Sequence, residues 1–503
     1  MSIVRATFRS AVWNHAGRVL EYVLMYVTSI LIARGLGVQE NGRFVGLFSA
    51  AMLLMVLSSF GLETSLNKFI PQLGEMDKTE RTRFILRRVL LVRLIAVMFV
   101  AVAFTAVLML ATTSLSRETS VVLLIVFLFS AVRSIVPLFS TVLTAQLKTD
   151  VTTGVNLSIR ALELLLVVAL AQNGLTVPAL FTLFLITSAL HVVLYAFLSR
   201  SNLAGETHHV ELNPIITFGG IYWANTIVDF FLGRQGDILF LGNLLPDTTQ
   251  PGLYDVAYSI SQLATLAMTT GLSGVTLATF ARLALTGREA MDKFYSFSVR
   301  IVSLLTIPFT AFMLFNSGPL ISVLYSGDYL QATVLVQGMM CFKIVSRLFA
   351  GGENAEYMLS EGRVGTLVLI GLAAAATNIL LNILLIPSLQ ATGSVIASGT
   401  AALLANVLGA AMVFRTSAAR LQIAYWLKLA MPAILSAYLT SLIVFENDLV
   451  MLLVRGIAFL LLFVGSLSVV RPLHRQDLTW FKSVHEVAER ILGPFVRKVE
   501  PSP

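Results

Sequence analysis

The residues best placed to do chemistry in this sequence are charged side chains inside strongly apolar stretches. Asp229, Arg234 and Asp237 lie in one such stretch, residues 214–245. A charged side chain at the centre of a bilayer costs roughly 2.5 to 3.5 kcal/mol on insertion scales, so it normally faces water, a ligand or an opposite charge. If these stretches cross a membrane, the three residues mark a polar pathway through an apolar protein.

The composition indicates a membrane protein. Of 503 residues, 57% are hydrophobic and 12% are charged, and the mean hydropathy is +0.85, which lies outside the range of soluble globular proteins. A net charge of +8 would favour nucleic acid as the partner of a soluble protein. Here the basic residues that flank membrane spans explain it, so no nucleic-acid partner is predicted. The single cysteine, Cys341, excludes an internal disulfide.

Apolar segments of about 20 residues or more recur along the chain, as membrane-spanning helices require. We predict an all-α polytopic membrane protein with fourteen transmembrane helices, because a membrane barrel would show short alternating strands instead. Basic residues near the span ends collect mostly on one side, which places both termini in the cytoplasm. The predicted spans are 11–33, 43–71, 85–113, 119–146, 153–172, 178–199, 214–242, 252–284, 294–316, 331–359, 364–386, 393–414, 428–445 and 449–470.

The chain contains two copies of one unit. Residues 252–283 repeat residues 42–73 without a gap, at an offset of 210, and Gly42 matches Gly252. An even number of spans in each copy predicts two lobes related by an axis along the membrane normal. The predicted organisation is a six-helix lobe (1–200), a cytoplasmic linker (201–213), a second six-helix lobe (214–415), two extra transmembrane helices (416–470) and a cytoplasmic amphipathic tail (471–503).

The linker contains the neighbouring histidines His208 and His209. Paired histidines can bind a metal, but a metal site needs a third ligand, and the sequence shows no cluster of histidines and carboxylates at metal-ligand spacing. A solvated linker is the favoured interpretation. No metal and no cofactor are predicted.

Several predicted spans carry charged residues at helical spacing, and their basic residues outnumber their acidic ones. Each alone is typical of a structural ion pair, but together they predict a net positive interior that suits an anion, phosphate above all, because the arginine fork binds it in two places. Arg93, Arg300 and Arg455 are the weakest candidates, because each could reach an interface by snorkelling. The predicted substrate-binding residues are Arg18, Lys68, Arg133, Arg160, Arg234, Lys343 and Arg347, and the candidates for ion coupling or ion pairing are Glu21, Glu63, Asp229, Asp237 and Glu353.

Other sources of chemistry are missing from the sequence. It has no G-x-x-x-x-G-K-[ST] phosphate loop, so the chain is not predicted to hydrolyse ATP. Its loops are too short for a soluble catalytic domain, so it is not predicted to be an enzyme, and short outer loops also argue against a glycan polymerase. Transport would draw on an ion gradient (H⁺ or Na⁺), the membrane potential or the gradient of the substrate.

Several motifs resemble a known family. Ile32-Ala-Arg-Gly-Leu-Gly37 and Lys68-Phe-Ile70 resemble the opening of polysaccharide transporters of the O-antigen flippase type, in the multidrug/oligosaccharidyl-lipid/polysaccharide exporter superfamily. Gly252-Leu-Tyr254, Leu324-Tyr-Ser-Gly-Asp-Tyr329 and Gly393-Ser-Val-Ile-Ala397 resemble its second half. The resemblance covers roughly residues 10 to 415. It implies alternating access and the movement of polyprenyl-pyrophosphate-linked oligosaccharide from the inner to the outer leaflet of a prokaryotic cytoplasmic membrane.

The leading hypothesis is therefore a lipid-linked oligosaccharide flippase for polysaccharide export, crossing the inner membrane many times. Its predicted partners are the lipid-linked oligosaccharide, membrane lipid, H⁺ or Na⁺, and other membrane proteins of glycan synthesis. A cation-coupled drug antiporter on the same scaffold is an alternative, although it would prefer acidic residues for cationic drugs. A third hypothesis, from a different class, is a non-transporting scaffold of a glycan-synthesis complex.

Overall fold

The described part of the chain is built from helices. The structure, a computed structural model, describes residues 2–73, 77–111, 117–269 and 272–473, and it describes side chains for 17–73, 77–103, 119–263 and 276–473. The predicted all-α fold is confirmed. The predicted amphipathic tail lies outside the described residues from 474 onward.

Two compact units divide the chain, Met1–Gly252 and Leu253–Pro503. The first contains α1 (Ser2–Ser59), α2 (Leu62–Phe69), α3 (Lys78–Ala111), α4 (Arg117–Arg133), α5 (Val136–Ala145), α6 (Thr149–Ala171), α7 (Val177–Leu198), α8 (Arg200–Leu203), α9 (Asn213–Leu232) and α10 (Arg234–Leu244). The second contains α12 (Leu272–Thr286), α13 (Arg288–Leu324), α14 (Ala332–Ser346), α15 (Gly352–Ser360), α16 (Val364–Leu389), α17 (Ala391–Thr416), α18 (Ile423–Ser441) and α19 (Asp448–Val470), with short 3₁₀ helices at Gly327–Tyr329 and Arg347–Phe349. Helix α11 (Thr249–Thr269) begins in the first unit and continues into the second.

Eleven stretches of the described chain are long and apolar enough to cross a membrane, which confirms a multi-pass membrane protein. The first stretch, Gly17–Ser59, is 43 residues long and joins the first two predicted spans. The sequence predicts a turn between those spans, and the structure has a kink there, where two helical segments of α1 meet at Gly37, whose φ is 73°. Glycine adopts this conformation at little cost. The total of fourteen spans stays a prediction.

The boundary between the units differs from the predicted lobe boundary. Helices α9 and α10 follow the linker, yet they pack within the first unit. The indole N–H of Trp223 in α9 donates to the carbonyl of Val56 at 2.8 Å, and the hydroxyl of Ser49 donates to Gln235 in α10 at 2.6 Å. The two six-helix lobes therefore stay a prediction.

The matched glycines of the sequence repeat allow a close helix contact in the first unit. A Cβ atom on Gly42 would lie 1.6 Å from the carbonyl oxygen of Thr248, and one on Gly252 would lie 2.5 Å from that of Val38. Only glycine fits at such a distance.

The first residue of α11 is held by hydrogen bonds to Asp247. The backbone N–H of Thr249 donates to the carboxylate of Asp247 at 2.9 Å, and the hydrogen bonds from Thr249 hold the pKa of Asp247 below its usual value.

A second close contact joins α2 to α9. Gly61 has a φ of 61°, in the left-handed region, and a Cβ atom there would lie 2.1 Å from the carbonyl oxygen of Gly219. The rings of Phe60 and Trp223 stack beside it, with centroids 4.7 Å apart. The break between α1 and α2 is therefore fixed both by backbone conformation and by packing against α9.

We expect Gly61→Ala to destabilise the protein by more than about 2 kcal/mol, because a left-handed alanine costs about 1–2 kcal/mol and the added methyl meets fixed backbone. Gly46→Ala is the matched control, since nothing lies within 4 Å of a Cβ at Gly46. Thermal unfolding of the purified variants in detergent measures the difference. Equal melting temperatures for the two variants would contradict the prediction.

The linker is fastened to α3 by hydrogen bonds from arginine side chains. Arg83 donates to the carbonyls of Ser201 at 2.7 Å and Glu206 at 3.2 Å, and Arg87 donates to those of Leu203 at 2.9 Å and Gly205 at 3.0 Å. Residues 204–209 are nevertheless exposed, which agrees with the solvated-linker interpretation and adds a contact with α3. The sequence hides the contact because its partners are more than 100 residues apart.

His208 of the linker also reaches α3. Its Nδ1 lies 3.4 Å from the carboxylate of Asp77, and the ligand-type atoms of Asp77, Glu80 and His208 all lie within 4.8 Å of one another. The fold thus brings acidic groups from outside the linker close to His208. We interpret these exposed and half-exposed groups as a polar contact between the linker and the start of α3, and the absence of a metal stays a prediction.

Candidate functional site

Four helices of the first unit, α1, α4, α6 and α7, surround a polar cluster. Helix α6 presents Asn156, Arg160 and Glu163 at steps of four and three, and such steps place side chains on one face. Helix α7 presents Thr187, His191 and Tyr195 at steps of four, for the same reason. We call this group the Arg133 cluster, and its members are Glu21, Arg133, Asn156, Arg160, Glu163, Thr187, His191 and Tyr195.

Glu163 is the buried anion of the Arg133 cluster. One of its oxygens accepts a hydrogen bond from Arg160 at 2.7 Å, and the other accepts one from Thr187 at 3.3 Å. The carboxylate of Glu21 lies 3.9 Å from Arg160, and both side chains are about one quarter exposed. Arg160 therefore has a direct carboxylate partner and a second, looser one.

Arg133 is held differently. It is the last residue of α4, and Pro137 lies in the first turn of α5 after the break. Nη1 of Arg133 lies 3.4 Å from Nδ1 of His191 and 3.9 Å from the carboxylate of Glu163. The side chain of Arg133 is 21% exposed. A guanidinium has five N–H donors, so most of those of Arg133 remain available for a ligand.

Arg18 adds a further positive charge on α1. It lies one turn before Glu21 and is exposed, and among the described side chains it has no ion-pair partner. Within the Arg133 cluster, the guanidinium groups of Arg133 and Arg160 are matched by the carboxylates of Glu21 and Glu163. The cluster itself is therefore balanced in charge, and Arg18 is an additional cation on α1.

The other predicted residues of the first unit make different contacts. Lys68 in α2 is exposed, and its Nζ lies 3.8 Å from the ring centroid of Phe218, a cation–π contact. Asp229 in α9 is exposed and accepts a hydrogen bond from Asn225 at 3.0 Å. Arg234 begins α10 half-buried, and Asp237 is fully buried in the first turn of that helix.

Glu63 forms an ion pair with Arg93, whose side chain is 1% exposed. The expectation that Arg93 snorkels to an interface is therefore wrong. Arg455 in the second unit is likewise buried, and it donates to the carbonyl of Ile443 at 2.8 Å and to Asn316 at 3.0 Å. In both cases a polar partner inside the protein replaces the interface, because a buried guanidinium without one would be very costly.

In the second unit, Lys343 and Arg347 lie one turn apart at the end of α14. The ammonium of Lys343 donates to the carbonyl of Ser261 at 2.6 Å. Arg347 makes a bidentate ion pair with Glu353, with one contact at 3.0 Å, and it also donates to Ser303 at 2.9 Å and to the carbonyl of Val299 at 3.2 Å. Arg347 thus directs its donors into the protein, and its predicted role in substrate binding gains no support from this geometry.

In each unit, a basic side chain lies at or near the C-terminal end of a helix. The offset of 210 residues that relates the two repeats pairs Arg133 with Lys343. Helix α4 ends at Arg133, and α14 ends at Ser346, shortly after Lys343. Sequence periodicity identifies these two cations, but it does not identify His191, which stands alone in an apolar run. The spacing of Thr187, His191 and Tyr195 at steps of four is the signal that could have revealed it.

The fold is similar to those of solved membrane transporters. It is similar to lipid II flippase MurJ in an inward closed conformation, with a TM-score of 0.68 and 15% identity over 90% of this chain and 98% of that one. It is also similar to an inward-facing multidrug resistance MATE family transporter of the MOP superfamily, with a TM-score of 0.58 and 14% identity over 79% and 96% of the two chains. A MATE structure in complex with MaD5 gives a TM-score of 0.56 and 13% identity over 81% and 96%.

The sequence identifies the family. No curated protein matches the chain by sequence. The chain belongs to the polysaccharide biosynthesis protein family, whose sequence profile matches residues 31–334, more than half of its length. The resemblance to polysaccharide transporters is thereby confirmed.

Proposed function

We propose that the chain is a flippase that moves polyprenyl-pyrophosphate-linked oligosaccharide from the inner to the outer leaflet by alternating access. The family and the similarity to a lipid II flippase fold support this proposal. The observation that carries it is the Arg133 cluster, where a partly exposed arginine of a membrane-spanning helix contacts the ring of His191 at 3.4 Å and, among the described side chains, has no carboxylate closer than 3.9 Å. Arginine binds phosphate oxygens through two parallel hydrogen bonds.

In this proposal Arg133 binds the pyrophosphate, and Arg18 adds positive charge at the exposed side of α1. The sugar occupies the polar surroundings while the prenyl chain stays in lipid. Pyrophosphate competes with Glu163 and Glu21 for the guanidinium groups of Arg133 and Arg160. Binding of the substrate therefore weakens the contacts between these arginines and the two carboxylates. The membrane is a prokaryotic inner membrane with both termini in the cytoplasm.

Glu21 is the preferred coupling acid for H⁺ or Na⁺. Its carboxylate is about one quarter exposed and lies 3.9 Å from Arg160, so a cation that binds Glu21 would remove the looser of the two carboxylate contacts of Arg160. Glu63 and Glu353 are less suitable, because each is held in an ion pair with a buried arginine, Arg93 and Arg347 respectively.

A drug antiporter on the same scaffold is the second candidate. The MATE-like fold favours it, and the exposed carboxylate of Asp229 in α9 is a group that could attract a cationic drug. The partly exposed guanidinium of Arg133 argues against it, because it would repel a cationic drug.

Reconstitution of the purified protein in liposomes tests the proposal. The liposomes contain fluorescent polyprenyl-pyrophosphate-linked oligosaccharide, and a membrane-impermeant quencher reports which leaflet holds the label. We expect protein-dependent exchange of label between leaflets and no efflux of a cationic dye along H⁺ or Na⁺ gradients. Label that stays on its original leaflet would favour a non-transporting scaffold, and dye efflux without lipid movement would favour the antiporter.

A further inference from the structure

We propose that His191 is a positioning residue that orients Arg133 toward the lipid head group without cancelling its charge. The proposal rests on the proposed function and adds a residue to it. His191 stands in an apolar part of α7, where only its spacing of four residues from Thr187 and from Tyr195 marks it in the sequence. Its side chain is only 3% exposed, so its partners must come from the protein.

The hydrogen bonds around the ring decide which nitrogen carries the proton. Asn156 Oδ1 accepts a hydrogen bond from the hydroxyl of Tyr195 at 2.8 Å, and it lies 3.2 Å from Nε2 of His191. Because that oxygen is an acceptor, Nε2 must carry the hydrogen. A neutral imidazole has one donor and one acceptor nitrogen, so Nδ1 is left with a lone pair.

That lone pair faces the guanidinium of Arg133, with Nη1 3.4 Å from Nδ1. The ring of Tyr195 stacks on the imidazole, with centroids 4.9 Å apart and an angle of 20° between the planes. Stacking and the bond to Asn156 fix the ring, and the ring in turn fixes the direction of one N–H of Arg133. The charged groups around the imidazole are Arg133 from α4, Arg160 and Glu163 from α6, and Glu21 from α1. With two guanidinium groups so close, the imidazole remains neutral.

A neutral acceptor has a different effect on an arginine than a carboxylate has. Arg347 in the second unit is held by both oxygens of Glu353, which fixes the side chain but also compensates its charge. Arg133 has its direct hydrogen bond with a neutral ring, and the nearest carboxylate, Glu163, is already bound to Arg160 at 2.7 Å. Arg133 is therefore oriented and still able to bind an anion.

Two variants of nearly equal shape test the proposal by liposome transport of the fluorescent polyprenyl-pyrophosphate-linked oligosaccharide. His191→Asn keeps a neutral acceptor near Arg133, and we expect its rate to stay within about threefold of the unchanged protein. His191→Asp places a carboxylate at the same position, and we expect a loss of about tenfold or more, the scale of one hydrogen bond between charged groups. A purely structural role for the hydrogen bond would affect both variants equally, so equal rates would overturn the proposal.

A spectroscopic measurement tests the structural basis independently of transport. In protein with ¹⁵N-labelled histidine, the signals that disappear in His191→Asn belong to His191. We expect ¹⁵N shifts of a neutral ring protonated at Nε2, and an imidazolium or an Nδ1–H ring would overturn the proposal even if His191→Asp does not fold. Failure of the unchanged protein to move the lipid would contradict the flippase proposal instead, so the two failures are distinguishable.

Discussion

Replacing Arg133 by glutamine is expected to lower the rate of lipid-linked oligosaccharide transport about 10- to 100-fold. A hydrogen bond between charged partners contributes about 1.5–3 kcal/mol, and each 1.4 kcal/mol corresponds to a factor of ten. The loss should be specific to transport, because Glu163 keeps its bond to Arg160, and the amide of glutamine also carries N–H donors for Nδ1 of His191. Liposome assays with the fluorescent lipid-linked oligosaccharide measure the rate.

Arg43→Gln is the matched control for this experiment. The side chain of Arg43 is 46% exposed, and its ion pair with Glu40, at 3.9 Å, is one turn away on the same helix. Such exposed pairs contribute little to stability, and Arg43 has no contact with the Arg133 cluster among the described side chains. We expect transport by Arg43→Gln to equal that of the unchanged protein. If Arg133→Gln also transports at the full rate with normal protein yield, Arg133 does not bind the head group.

Replacing Glu353 by glutamine is expected to destabilise the protein by about 3 kcal/mol or more. Removing one partner of a buried ion pair leaves an uncompensated charge, which typically costs 3–5 kcal/mol. Glu353 is 4% exposed and Arg347 is 11% exposed, so water cannot replace the missing carboxylate. The remaining bonds from Arg347 to Ser303 and to the carbonyl of Val299 go to neutral acceptors. Unfolding of the purified protein in mixed micelles with increasing dodecyl sulfate, followed by circular dichroism, measures the change.

Glu356, one turn further along α15, provides the opposite case. Its Oε2 is buried and has no hydrogen-bond partner among the described residues. Because an incompletely paired buried carboxylate is costly, Glu356→Gln is expected to leave stability unchanged or to raise it. A destabilisation as large as that of Glu353→Gln would show that the bidentate pair is not what stabilises this part of α15.

A double variant distinguishes the destabilisation caused by an unpaired buried charge from the stabilisation that the ion pair itself contributes. Arg347→Met together with Glu353→Gln removes the charge that the single variant leaves uncompensated. Replacing a whole buried ion pair by groups of similar volume is often neutral or stabilising. We therefore expect the double variant to regain most of the stability lost in Glu353→Gln, as a double-mutant cycle would report. No recovery would mean that packing around Arg347, rather than charge, decides stability.

The two arginines of these predictions look equivalent in the sequence but differ in the fold. Both Arg133 and Arg347 lie near the end of a helix in corresponding spans, and both are predicted to bind substrate. Their partners differ, because α15 turns Glu353 back onto Arg347 whereas α7 places a neutral histidine beside Arg133. A glutamate six residues away in sequence is a visible candidate partner, but a histidine 58 residues away is not.

The sequence by itself determined the class of the protein. A bilayer demands long apolar segments whose backbone bonds are satisfied internally, so composition and segment length specify a multi-pass helical membrane protein. The free-energy cost of burying a charge likewise identified the arginines and acidic residues within the spans as candidates for substrate binding or ion pairing. The sequence also predicted a transporter architecture, from the family motifs and from the repeat of residues 42–73 at 252–283. Each motif and each copy of the repeat is a continuous stretch, so no tertiary structure is needed to detect it.

Only the tertiary structure decided which charged side chains are paired within the protein and which remain available to a ligand. Ion pairs and hydrogen bonds between distant helices depend on helix rotation and packing, which periodicity does not specify. Arg93 and Arg347 are compensated by Glu63 and Glu353, whereas Arg133 keeps most of its donors because its nearest hydrogen-bond partner is neutral. The physical reason is that a side chain's charge is a property of its residue type, but its availability to a ligand is a property of the neighbours that the fold brings to it.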